Sequence, residues 1–164
     1  MPTTLRRIAT RALILALVAG ALAQTGARAD EQGPPLPKDF RSWTHVRSMV
    51  VTDGDHGMYG FHDVYGNAAA LKTLRSDSTA PKYPDGAVFV VSIYEVVTRD
   101  GMTSAGAKRR DVVQLKDSKA TATGGWRFGA FDPTGRRIAI DATACSACHA
   151  GAKDKDWVFA AFTR

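Results

Sequence analysis

The two cysteines of this 164-residue chain stand three positions apart close to its C-terminal end, in the segment Cys145-Ser146-Ala147-Cys148-His149. Two thiols at that spacing can each add to one vinyl group of a porphyrin, and the imidazole that follows is then held beneath the iron as its proximal ligand. Fifteen residues follow His149, and none is methionine. That excludes the layout of the small electron-transfer cytochromes, which place this motif first and take a methionine from downstream. Four-helix bundles that bind gases keep the motif late, but they need long runs of helical period. The run Ala87–Thr98 and the glycine-rich middle do not read at that period.

Three other readings of the cysteine pair compete with covalently attached haem c. A structural zinc site needs four ligands, and there is no second cysteine pair. A thioredoxin-like pair opens a helix early in its fold, whereas this one lies near the end. A local disulfide is the third. Export favours haem, because c-type haem is attached outside the cytoplasm.

Residues 1–29 read as a secretory signal peptide. Arg6, Arg7 and Arg11 form a basic start, Ala12–Ala23 is apolar throughout, and Ala27-Arg28-Ala29 supplies a small-x-small cleavage site. The apolar run is too short for a membrane span, which takes about 20 residues. The formal charge of +6 shrinks once this segment is set aside, since it holds four of the 22 basic residues and none of the 16 acidic ones. What is left carries a charge of about +2, too small for a nucleic-acid partner. The expected location is the periplasm, with no membrane attachment after cleavage.

Residues 30–39 carry Pro34, Pro35 and Pro37 and read as an extended, mobile tether before a single domain over 40–164. In that domain Arg41–Val51 reads as a short helix with Ser42 at its N-cap. Phe61–Tyr65 reads as a strand, and Asn67–Leu74 as a helix opened by its asparagine. Tyr83-Pro84-Asp85-Gly86 and Asp132-Pro133-Thr134-Gly135 are turns. Ala87–Thr98, rich in valine, isoleucine and aromatics, is the clearest strand. Asp111–Lys116, Trp126–Phe131 and Arg137–Ile140 are further strand candidates. The fold class expected is α+β, mainly β: an antiparallel sheet with a few short helices and a C-terminal haem-binding segment.

Strand alternation puts Phe89 and Glu95 on one face of Ala87–Thr98, roughly 20 Å apart at about 3.3 Å per residue. Glu95 is either a proton-carrying catalytic base or a solvated edge residue. His45, His56 and His62 are candidates for a sixth iron ligand, which would make the protein an electron-transfer module. Trp126 and Trp157 read as core, and Lys153, Asp154, Lys155 and Asp156 as a solvated turn.

Tyr83–Val90, Gly124–Phe128, Cys145–His149, Asp156–Phe159 and Tyr65-Gly66-Asn67, in that arrangement, resemble the cytochrome P-460 family, which includes the cytochromes c′-beta. The resemblance runs from about Phe40 to the C-terminus. It implies a periplasmic homodimer on an antiparallel sheet, with haem held five-coordinate by the histidine of the motif. It implies one of two activities. Some members oxidise hydroxylamine or nitric oxide, with a lysine cross-linked to the haem and a redox partner protein to take the electrons. The c′-beta members bind nitric oxide or carbon monoxide under an apolar cap of phenylalanines. Phe61 and Phe89 are the candidates for that cap by their position in the family-like stretches. The cross-linking lysine is expected near the strand after the Pro-Asp-Gly turn, yet no lysine falls between Lys82 and Lys108. The gas-binding branch is therefore the expected one.

Overall fold

The computed structural model describes residues 33–76 and 78–162. The expected signal peptide over 1–29 lies outside them. Six strands form one antiparallel sheet in chain order: β1 (Thr44–Val51), β2 (Gly60–Gly66), β3 (Val88–Arg99), β4 (Met102–Lys116), β5 (Trp126–Phe131) and β6 (Arg137–Ile138). Two short α-helices, α1 (Ala68–Leu74) and α2 (Ala142–His149), complete a mainly β, α+β architecture. No helix among the described residues is long and apolar enough to cross a membrane.

Strand register sorts the side chains onto two faces. His62, Val64 and Gly66 of β2 stand beside Ile93, Val91 and Phe89 of β3. Those in turn stand beside Arg110, Val112 and Gln114 of β4, with Ala130 and Phe128 of β5 next in the rows of Val112 and Gln114. This first face carries the main core, in which Val64, Phe89, Trp126 and Phe128 pack with Ala70 and Leu71 of α1, and with Tyr83 and Val158. The second face carries a smaller core of Phe40, Val90, Val113 and Phe131.

The predicted helix over Arg41–Val51 is instead one 3-10 turn, Phe40–Ser42, followed by β1. Ser42 Oγ bonds back to the Asp39 carbonyl (2.7 Å) rather than capping a helix. The β-branched Val50 and Val51 pair with Phe61 and Gly60 of β2, and their stiff side chains suit a strand better than a helix. β4 starts nine residues before the predicted Asp111, because pairing with β3 carries the small residues Ser104 and Ala105 that have no strand preference of their own.

Gly33–Lys38 is no loose tether. Pro34 is buried, its carbonyl accepts from Arg137 Nη2 (2.8 Å), and Leu36 packs on the second core. Gly33 has φ +68°, and a Cβ there would lie 2.1 Å from the Phe128 carbonyl oxygen, so glycine alone lets the chain lie this close to β5.

Asn67 ties α1 to the sheet, as its N-cap role predicts. Its Oδ1 accepts from Ala70 N (2.9 Å) and Val88 N (3.1 Å), and its Nδ2 donates to the Gly86 carbonyl (2.9 Å). Asn67→Ala removes a cap and two cross-links from one partly buried point. It is expected to cost about 2 kcal/mol, read as a lower urea midpoint with an unchanged slope. A loss near zero would mean that water replaces all three bonds.

Candidate haem-attachment site

Helix α2 is opened by Asp141, whose Oδ1 accepts from Thr143 N (2.8 Å) and Ala144 N (3.2 Å). The carboxylate also suits the positive end of the helix dipole. Within α2, Cys145 and Cys148 are one turn apart and His149 is four residues after Cys145, so all three share one side of the helix. Cys145 is half-buried against the main core, Cys148 is exposed, and both are free thiols. Burial, then the nearby Asp141 carboxylate, pushes the Cys145 thiol up.

His149 is tightly placed. Its ring lies 5.2 Å from the ring centres of both Phe128 and Phe159. Its Nδ1 donates to the Trp157 carbonyl (2.7 Å), since a carbonyl can only accept. That bond fixes the tautomer with the hydrogen on Nδ1 and leaves the Nε2 lone pair free for a metal. Burial also lowers the imidazole's pKa, which favours the neutral, ligating form.

The Trp157 carbonyl reaches His149 because the chain turns sharply after α2. Asp156 (φ +53°) and Trp157 (φ +66°) are consecutive non-glycine residues in the left-handed region, each at a cost of roughly 1–3 kcal/mol. Four contacts from the sheet side hold them there. Trp126 Nε1 donates to the Asp156 carbonyl (2.8 Å), and Gln114 Nε2 donates to the Trp157 carbonyl (2.9 Å). The Asp156 carboxylate accepts from Tyr83 N (2.9 Å) and Lys116 Nζ (3.0 Å). A Cβ on Gly124 would lie 2.4 Å from the Trp157 indole, so that ring needs glycine beneath it.

Asp156 therefore corrects the solvated-turn reading. It is 5% exposed and neutralised by Lys116, forty residues away in sequence. Nothing in the charge pattern of Lys153–Asp156 indicates this. Trp126, fully buried, is core as expected. Gln114 carried no signal in the sequence.

The remaining candidates are scattered. Phe89 lies on the α2 side of the sheet, 2% exposed and edge-on to Tyr83 at 5.5 Å. Phe61 is not beside it: Phe61 pairs with Tyr94 and Phe89 with Gly66, an odd number of residues away along β2, so the two rings lie on opposite faces. Glu95 is exposed, at an irregularity of the β3–β4 register six residues beyond Phe89. The structure thus brings Cys145, Cys148, His149 and Phe89 to one side, and leaves Phe61 and Glu95 elsewhere.

The donor set suits a c-type haem: two free thiols on one helix and an imidazole with Nε2 available. Among the described residues no three His, Cys, Asp or Glu side chains converge as a metal-holding group. A comparison with curated protein sequences found no match. The family model for cytochrome P-460 matches residues 37–160, spanning the whole sheet, α2 and the turn that follows it. Members of that family are typically periplasmic. The chain belongs to the cytochrome P-460 family, and is thereby a c-type cytochrome with covalently attached haem.

Proposed function

We propose that this cytochrome is exported to the periplasm and binds nitric oxide or a similar small gas at a five-coordinate haem. Cys145 and Cys148 would hold the group and His149 would ligate it. When bound, the haem supplies an iron with one axial position left for a diatomic. The chain's own residues do the rest: the His149 ring is aimed by the Trp157 carbonyl, and Val64, Phe89 and Val91 make the packing beside Cys145 largely apolar, with the Arg110 guanidinium as the charged group near the thiol. An apolar wall disfavours water and anions while admitting a small neutral ligand.

The observation that carries this reading is the engagement of the other imidazoles. His45 is bonded to Ser48 Oγ (3.1 Å) and lies 3.4 Å from Asp63. His56 Nδ1 accepts from Met58 N (3.1 Å). His62 is 2% exposed and its Nε2 donates to the Met58 carbonyl (2.7 Å). Met102 stands 70% exposed at the end of the β3–β4 hairpin. The three imidazoles are engaged elsewhere and Met102 stands in solvent, which speaks against a sixth ligand.

The lysines flanking β3 favour binding over hydroxylamine oxidation. Lys82 is largely exposed, and Lys108 is paired with Asp111 at 2.5 Å on the face away from α2. Export rests on the basic start, apolar run and cleavage pattern of residues 1–29.

The visible spectrum of the dithionite-reduced protein tests the proposal. High-spin, five-coordinate iron that shifts on adding nitric oxide or carbon monoxide is the expected result. A low-spin spectrum before any addition would end it. Turnover of hydroxylamine with an artificial electron acceptor would transfer the reading to the oxidising branch.

A further inference from the structure

The Trp157 carbonyl accepts twice: from His149 Nδ1 at 2.7 Å and from Gln114 Nε2 at 2.9 Å. Gln114 sits on the α2 face of β4 in one cross-strand row with Phe89 and Phe128, and Phe128 is the ring that flanks His149. An amide there is costly, because Gln114 is 8% exposed between two phenylalanines. Leucine or methionine would fill the same row without that cost. The amide reaches past its neighbours to a single carbonyl oxygen, the one that sets the tautomer of His149.

We propose that Gln114 is a positioning residue that tunes the iron through His149. Two donors on one oxygen draw on the same electron density. Gln114 therefore weakens the pull of that oxygen on the Nδ1 proton and limits the imidazolate character of the ring. A less basic imidazole donates less to the metal and stabilises the ferric state less. Gln114 thus holds the reduction potential up, and with it the ferrous form that diatomic gases prefer. The inference rests on His149 being the axial ligand.

Gln114→Met and Gln114→Leu, both without a donor and of similar bulk, test it in the mature haem-loaded protein. With the second donor gone, the full acceptor strength of the oxygen falls on His149. The ferric-to-ferrous equilibrium is expected to shift about tenfold toward ferric in both variants, about 59 mV lower for a one-electron couple. The iron–histidine stretching frequency of the reduced protein should rise in parallel.

An unchanged or higher potential in both variants would overturn the proposal, since loss of a mere anchor frees the carbonyl and weakens its bond to His149. Failure of both to fold with haem attached would overturn it too, by making Gln114 a structural prop. The potential senses the imidazole whether or not the sixth position is filled. A six-coordinate wild-type spectrum would thus defeat the gas-binding reading while leaving this test in force.

Discussion

Replacing both thiols, Cys145→Ala with Cys148→Ala, is expected to yield a mature chain that retains no porphyrin after acid denaturation. The wild type, by contrast, should carry one haem per chain in its intact mass. The reason lies in α2: the helix offers two thiols one turn apart beside an imidazole, and a thioether survives acid while an axial bond does not. The single variants separate the two roles. Cys148 is exposed and Cys145 is half-buried in the main core. Cys148→Ala should keep one thioether and most of the haem, whereas Cys145→Ala should lose a packed side chain as well as a bond. Retention of porphyrin by the acid-treated double variant would mean attachment somewhere else in the chain.

Asp156→Ala should be strongly destabilising. It leaves the Lys116 ammonium, whose side chain is 12% exposed, without its carboxylate, and strips Tyr83 N of its acceptor. It also puts an alanine at φ +53°. Breaking a buried pair by deleting one partner costs roughly 3–5 kcal/mol. Lys116 also lies 5.0 Å from the Trp126 ring, and that contact will offset part of the loss. A net loss of about 3 kcal/mol in urea unfolding is therefore expected. Asp156→Asn keeps an acceptor for Tyr83 N and tolerates the left-handed backbone, so its loss should be about half as large. Equal, small losses from both would show that the ion pair contributes little and that the turn is held by Trp126 and Gln114.

The two variants also separate stability from the site. Asp156 fixes the turn that presents the Trp157 carbonyl to His149, so the alanine variant should broaden the iron–histidine signature even at temperatures where it is folded. Gln114→Met should move that signature without broadening it.

Much of the sheet was legible because strand preference here is local. β3 is built almost wholly of β-branched and aromatic residues, and Asn67 announces a helix start whether or not one knows what it touches. β1 was misread for the opposite reason. Thr44–Val51 is an edge strand of mixed polarity, and its structure comes from β2, which no short window contains. The proline run at 34–37 has the composition of a linker, yet Arg137 and the core beneath Leu36 hold it down.

What the sequence by itself determined is the covalent chemistry and the fold class. The motif Cys145–His149 puts two thiols and an imidazole within five residues, a spacing that is read without any tertiary contact. The antiparallel sheet follows likewise from residue preference and turn chemistry. Only the tertiary structure decided which groups surround the imidazole. Phe61 and Phe89 part company because the β2–β3 register sets them an odd number of positions apart. Asp156, Gln114 and Trp126 meet around one turn although they come from three distant segments. Burial and pairing across thirty or more residues are properties of register and packing, and these leave no periodic trace in the chain.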